Sequence, residues 1–459
     1  MSHRMTILLS AALAAGSLAA CVQGSTSSDE NVGTTEDAFC GPGKGKVNYG
    51  PGYNLHLEDT IRFTPLQPGA DAEAGRQRFG VSADLLSEDS AGALFEGFSA
   101  AAGRVITGNG RSCFTCHRGL DTSFGMPKPP VTASVPLTDP MFTGINADAQ
   151  GDPRAMALID NHALFKYRPN RFNLSRPDTD PYRQVFFWRK SQPLMNLAFT
   201  HGFLNDGRGR AMFETDRGAV FSHTQETDDR FDDLFPVSDG NNMEAFQRTL
   251  ITDPVLEALL DPNDPMHDTL VNDPFYTVNV QTASEHRGQK VFEKYCFNCH
   301  SMPNVFGNRD NVTPLGHDDI DPDFPTHGPG TLRTFNIGIS EANFLNLEFT
   351  RYVGPGQYED IVLPLINEDG STLNVTVDMD LGLAATTGRV ADIGRFKVPQ
   401  LRNVKNLGPY MHDNSLETLA DVVEYFDSPA YNQSEDGKRF PIHLNHKQKQ
   451  DLLAFLELL

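Results

Sequence analysis

The sequence predicts a mainly α fold made of two similar modules joined by long irregular loops. Three observations carry that expectation. A five-residue pattern occurs twice, about 180 residues apart, as Cys113-Phe114-Thr115-Cys116-His117 and Cys296-Phe297-Asn298-Cys299-His300. Apolar residues at helical spacing stand on both sides of the second copy. Pro- and Asp-rich stretches fill the intervals, among them Leu137-Thr138-Asp139-Pro140 and Asp318-Asp319-Ile320-Asp321-Pro322-Asp323.

Each copy reads Cys-x-x-Cys-His, the attachment site of a c-type haem. Two thiols add across the two vinyl groups of one porphyrin, and the adjoining imidazole reaches the iron. With 6 Cys and 14 His in 459 residues, about 0.002 copies per chain are expected by chance. A lone Cys-x-x-Cys would fit zinc or a redox dithiol; a following His, twice, points to haem. Cys113, Cys116, Cys296 and Cys299 are therefore read as thioether residues and His117 and His300 as iron ligands. Two covalently bound haem c groups are expected, each substituting for much of a conventional core.

In chain order the first element is a leader. His3 and Arg4 precede an apolar run, 5–18, too short to span a bilayer, so residues 1–20 read as a signal peptide. Leu18-Ala19-Ala20-Cys21 fits a bacterial lipobox with Cys21 as the lipid-modified first residue; ordinary cleavage after Ala20 is the alternative. Residues 21–55 form a flexible tether, whose start is rich in Ser, Thr, Gly and acids and has nothing to bury. Acyl chains at roughly 0.8 kcal/mol per buried methylene would hold such a protein on a membrane. The expected location is the cell envelope, as a periplasmic or outer-membrane lipoprotein. Cys40 is left over as an inert thiol or an intermolecular crosslink.

Residues 56–284 make an N-terminal haem domain, with its opening helix placed at Ala91-Gly92-Ala93-Leu94-Phe95-Glu96-Gly97-Phe98. Residues 285–459 make the C-terminal one. Glu285 to Tyr295 is a helical stretch running into the second motif. Leu452, Leu453, Phe455, Leu456 and Leu459 close the chain at helical spacing after an N-cap at Asn445. An opening helix carrying Gly and Phe, a haem motif and a closing apolar helix is the plan of a small cytochrome c. The net charge of −22 argues against nucleic acid as a partner. It suits a basic or locally complementary redox partner, or it simply solubilises the surface.

Several further segments extend the pattern: Asn196-Leu197-Ala198-Phe199, Asp206-Gly207-Arg208, Met243 to Leu250, Arg287 to Phe292, Phe335-Asn336-Ile337-Gly338, Phe396-Lys397-Val398-Pro399-Gln400-Leu401-Arg402-Asn403, Pro409-Tyr410-Met411-His412-Asp413 and Leu419 to Glu424. With them the chain, from about Leu94 onward, resembles the bacterial di-haem cytochrome c peroxidases. It equally resembles the MauG-type enzymes that mature other proteins by oxidation. The resemblance implies that peroxide is cleaved at the first haem. The second is implied to be a higher-potential electron store, filled by a small cytochrome c or cupredoxin.

Four positions depart from the family pattern. The inter-haem Trp before Asp-Gly-Arg is Asn205 here, and the catalytic-pocket Gln falls near Thr215. The acid that assists O–O cleavage falls near Gln225, with His223 and Glu226 as neighbours. The sixth ligand of the second haem, Met in the peroxidases and Tyr in the MauG type, falls on Phe426, which has no lone pair for iron. An Asn of an inter-domain calcium site is replaced around Lys190-Ser191, which weakens the case for calcium.

Peroxide cleavage needs a distal base that moves a proton from the inner to the outer oxygen. Glu226, His223 and Gln225 are the candidates; His223 alternatively ligates the first iron or sits solvated in a loop. Near the second haem, Met411 and Tyr425 can ligate iron or simply pack. Arg402 and His412 are expected around that haem, hydrogen-bonding or neutralising its propionates. Trp188 is either a displaced electron relay or a core residue. Three activities fit: a peroxidase-type oxidoreductase reducing hydrogen peroxide, a MauG-like oxidase acting on an unidentified oxidisable partner, and a non-enzymatic membrane-tethered electron conduit. The two-haem architecture favours the first.

Overall fold

The helices, in chain order, are α1 (Ala72–Phe79), α2 (Arg154–His162), α3 (Met212–Thr224), α4 (Val237–Arg248), α5 (Ala283–Tyr295), α6 (Leu419–Phe426) and α7 (His446–Leu456). The computed structural model describes residues 66–459 apart from 89–96, 100–103, 107, 109, 121–122, 144–151, 170–171, 173–184, 201–202, 210, 225–233, 274, 298 and 301–333; two short strands, Thr35–Glu36 and Lys46–Val47, precede them. The leader, Cys21 and Cys40 lie outside the described residues.

Two helix crossings of one design organise the two halves. In the second half α5 crosses α7, and a side chain on Gly288 would overlap the Asp451 carbonyl. In the first half α1 crosses α4, and a side chain on Gly75 would overlap the Asn242 carbonyl. Four residues beyond each glycine stands a fully buried phenylalanine, Phe79 or Phe292. Four residues beyond each contacted carbonyl stands its partner ring, Phe246 at 5.3 Å from Phe79 and Phe455 at 5.5 Å from Phe292. The absent Cβ lets the backbones approach until these rings meet. The two halves therefore repeat an opening helix, a Cys-x-x-Cys-His turn and a closing helix.

Local sequence explains the helix ends. Thr282 and Glu285 cap the start of α5 reciprocally: the Thr282 hydroxyl accepts from the Glu285 amide at 3.2 Å, and the Glu285 carboxylate from the Thr282 amide at 2.8 Å. Asn445 and Gln448 do the same for α7, at the N-cap expected from sequence. Leu452, Phe455 and Leu456 of α7 are buried, as is Leu459 beyond it. Asp71 caps α1, and Gly80 ends it at φ 85°.

The opening helix of the first half is thus α1, not the expected 91–98. Residues 91–98 carry two glycines, each costing about 1 kcal/mol in a helix. Gly97–Ser99 is instead a strand, pairing antiparallel with Arg104–Ile106, while 91–96 lie outside the described residues.

A further apolar cluster joins the halves and adds β structure that the helical expectation did not include. From the first half come α2 and the hairpin β1 (Leu164–Tyr167) with β2 (Phe187–Lys190). The second half adds the short strand β3 (Thr334–Phe335) and the hairpins β4 (Thr350–Gly354) with β5 (Gln357–Asp360) and β6 (Val362–Ile366) with β7 (Thr372–Thr376). Strand β8 (Phe396–Lys397) pairs with β3. Leu164, Phe187 and Trp188 pack there with Phe349, Ile361 and Leu365. Trp188 is 3 % exposed in this cluster, so the structure gives it the packing role.

Candidate functional site

Each Cys-x-x-Cys-His segment is a single helical turn. The His117 amide donates to the Cys113 carbonyl at 2.9 Å, and the His300 amide to the Cys296 carbonyl at 2.9 Å. One turn brings both thiols and the imidazole to a common side, which is what a single porphyrin requires. None of the four cysteines is in a disulfide. Burial pushes the Cys296 thiol up to about 12 and raises that of Cys113 further. Burial also holds both imidazoles at about 4, so His117 and His300 are neutral, the form that binds a metal. The rings of Phe79 and His117 are 6.3 Å apart, and those of Phe292 and His300 are 6.4 Å apart.

The two turns differ in their surroundings. His117 Nδ1 is 3.0 Å from the Phe124 carbonyl, and the Ser191 hydroxyl is 3.1 Å from Nε2. Facing this turn is α3, where Asp216, Val220 and His223 recur at i, i+4 and i+7 and so share one side. Val220 is fully buried in the cluster against which Cys113 packs. His223 is held near 3 by burial and by the Arg111 guanidinium, and is therefore neutral. Asp216 is pushed up to about 8, by burial first and then by Glu244, against a hydrogen bond from Gln247. Sequence reasoning missed Asp216; its i+7 relation to His223 was the available signal. Gln225 and Glu226 lie outside the described residues, and Thr215 returns its hydroxyl to the Ala211 carbonyl at 2.8 Å.

The second turn sits in an apolar cluster with Phe297, Val404 and Val423. Met411 packs against it at φ 71°, and so does Phe426, whose ring lies 4.9 Å from that of Tyr431. Tyr425 is committed elsewhere, donating to the Ile337 carbonyl at 2.7 Å. Arg402 is buried with Nε and Nη1 unpartnered. An unpaired guanidinium inside a protein costs several kcal/mol. Arg402 fits a bound haem, whose propionates it would pair.

Segment 396–403 ties the two turns together. The Pro399 backbone acts on His300, Gln400 donates to the Met195 carbonyl at 2.5 Å, and Asn403 donates to the Ser123 hydroxyl at 2.7 Å. Beside it, Arg189 grips Asp380 through two bonds of 2.6 and 2.7 Å and Asp206 at 2.9 Å. His412 stacks on Phe396 at 4.1 Å and stands 3.8 Å from Asp380, at this junction between the halves. Asn205 also works here, donating to the Lys190 carbonyl at 3.1 Å and accepting from the Lys397 amide. Lys190 is buried with its ammonium on the Pro409 carbonyl at 2.6 Å, and burial lowers it to about 8 against the pull of Asp413. Among the described residues no group of three His, Cys, Asp or Glu side chains could hold a metal ion.

No family model matches the chain. Cytochrome-c peroxidase IdrP1 of Pseudomonas sp. (strain SCT) is 36% identical over 83 residues, 18% of this chain and 22% of that protein. The match to the first relatives thus spans about a fifth of their length. Cytochrome-c peroxidase IdrP2 of Denitromonas iodatirespirans is 25% identical over 307 residues, 63% of this chain and 72% of its own. The methylamine utilization protein MauG of Methylophilus methylotrophus is 37% identical over 67 residues, 14% of this chain and 19% of that protein. A solved MauG-like protein associated with microbial copper homeostasis overlaps 88% of this chain and 92% of its own at TM-score 0.40 and 16% identity. In its two Cys-x-x-Cys-His turns and in these sequence matches, the chain is similar to the di-haem cytochrome c peroxidases and to MauG.

Proposed function

We propose that this protein reduces hydrogen peroxide at its N-terminal centre with electrons received at its C-terminal centre from a small cytochrome c or cupredoxin. One observation carries the reading: the two turns are alike, but the first faces a helix bearing a half-buried carboxyl and imidazole, both neutral, whereas the titratable groups packed at the second are the phenols of Tyr425 and Tyr431. The second lies among apolar side chains, a setting for storing an electron rather than for moving protons. Two haem c groups are held by Cys113, Cys116 and His117 and by Cys296, Cys299 and His300. Bound there, haem supplies the redox-active iron on which peroxide is reduced.

The chain's own residues supply the rest. His223 is the base that takes a proton from bound peroxide, since burial keeps it neutral at physiological pH. Arg402 neutralises propionate charge at the second centre. Segment 396–403 fixes one centre relative to the other. Lys190 occupies the junction with a side-chain cation, a position that the family gives to an Asn beside calcium. Cys21 carries the lipid that places the protein in the cell envelope.

The test is the spectrum of the reduced holoprotein with and without carbon monoxide, followed by peroxide turnover with reduced cytochrome c. One haem that binds carbon monoxide, together with turnover, is expected. Two haems that bind none would point to an electron conduit. Carbon monoxide binding without turnover would point to a MauG-like oxidase.

A further inference from the structure

Asp216 is a carboxyl group in the wrong place for a purely structural acid. It lies on α3 one turn before Val220 and two turns before His223, on the side that meets the first Cys-x-x-Cys-His turn. Its Oδ1 accepts from Gln247 Nε2 at 2.7 Å, and Gln247 is 3 % exposed on α4, next to Phe246. Its Oδ2 is buried and has no partner. No cation closes on it: Arg248 is spent on Glu244 at 2.6 Å, and Arg78 lies 3.4 Å from Asp239. The group is close enough to Cys113 for its charge to act on that thiol. A carboxylate so placed would pay a desolvation cost that a carboxylic acid avoids.

We propose that the Asp216 carboxyl is the proton donor of the N-terminal haem pocket, paired with His223 as the proton acceptor. This rests on the peroxide-reducing reading and names its acid. The chemistry balances as follows. His223 takes the proton of the inner peroxide oxygen. Asp216 gives its own proton to the outer oxygen as the O–O bond breaks, and that oxygen leaves as water. Two electrons from the reduced cytochrome c or cupredoxin reduce the inner oxygen. It takes back the His223 proton and one more from solvent and leaves as the second water, while solvent reprotonates Asp216. The net reaction is peroxide plus two electrons and two protons giving two waters.

Burial raises the Asp216 carboxyl and lowers the His223 imidazole, so both are neutral at pH 7, one with a proton to give and the other with a free lone pair. Along α3 they stand about 10 Å apart, at roughly 1.5 Å per residue. The charged group bearing on Asp216 is Glu244 from α4; Arg78 acts instead on Cys113, and Arg78 and Arg217 act on Asp239.

The experiment uses the holoprotein with Asp216→Asn, which keeps an oxygen for Gln247 but has no proton to give. Peroxide turnover should fall by about 10²- to 10⁴-fold, with haem content and the carbon monoxide spectrum unchanged. Asp216→Glu should recover part of it. Wild-type turnover in Asp216→Asn would overturn the proposal while leaving the peroxidase reading intact. A second measurement does not depend on the variant folding or on turnover. The infrared spectrum of the wild-type ferric protein at pH 6 should contain a carboxylic-acid C=O band that shifts when cyanide binds. No such shift would overturn the proposal. If the band shifts but the wild type fails to reduce peroxide, the peroxidase reading and the catalytic step fall together, and only the place of the acid in the pocket survives.

Discussion

Gly288 and the Asp451 carbonyl are in such close contact that no side chain fits between them. This contact sets the crossing of α5 and α7, and with it the position of Phe292 against His300. Gly288→Ala should force the helices apart and cost about 1–3 kcal/mol or more, with fewer chains acquiring the second haem during maturation. Gly75→Ala should do the same to the first site through Asn242. Denaturant unfolding together with haem quantitation checks both. Stability equal to wild type would mean that the crossings do not organise the two halves.

Two covalent haems are expected per chain. Intact-mass measurement on denatured protein should show two additions, falling to one when Cys296 and Cys299 are replaced by Ala. A single addition in wild-type protein matured by a competent host would remove the second site.

Arg189 neutralises two carboxylates that are almost wholly buried, Asp206 and Asp380. Arg189→Met should destabilise the protein by about 3–5 kcal/mol, because Asp380 is left buried without its ionic partner. Arg189→Lys should rescue little, since an ammonium cannot make the two-pronged contact. Urea unfolding of the three proteins decides this.

Asp216 gives stability a distinct pH dependence. Its folded value of about 8 lies above the ordinary 3.8, so between these pH values the native state holds a proton that the unfolded chain releases. Its contribution is fully present below pH 3.8 and is lost as pH rises through about 8. The difference in unfolding free energy between wild type and Asp216→Asn, followed from pH 4 to 9, should therefore decline with rising pH. A flat difference would mean that Asp216 ionises as in water.

With Phe at position 426, the second haem is expected to lack the usual Met ligation. Phe426→Met should raise the potential of one haem and leave the other nearly unchanged, because thioether ligation favours ferrous iron. Met411 packs against the same cluster. A near-infrared Met–iron band in the wild type that vanishes in Met411→Leu would assign the ligand to Met411; its persistence would assign it to another Met.

The sequence alone determined the parts whose chemistry is local. Cys-x-x-Cys-His is its own one-turn structure, so both turns were legible without tertiary information. The same holds for α5 and α7, whose capping residues and apolar spacing lie within each segment. The opening helix of the first half was misplaced because its evidence is not local: α1 is recognisable by Gly75 meeting Asn242, a contact across 167 residues. Asp216 was invisible for the same reason. An aspartate in a helix reads as a solvated surface charge until Gln247, Glu244 and the Cys113 cluster close around it. Likewise Asn205 and Lys190 read as departures from a family pattern, and only the fold shows them bonded across the junction. Periodicity and motifs report what a segment does with its own backbone. Burial and charge compensation, which decide the site, depend on which distant segments exclude water from it.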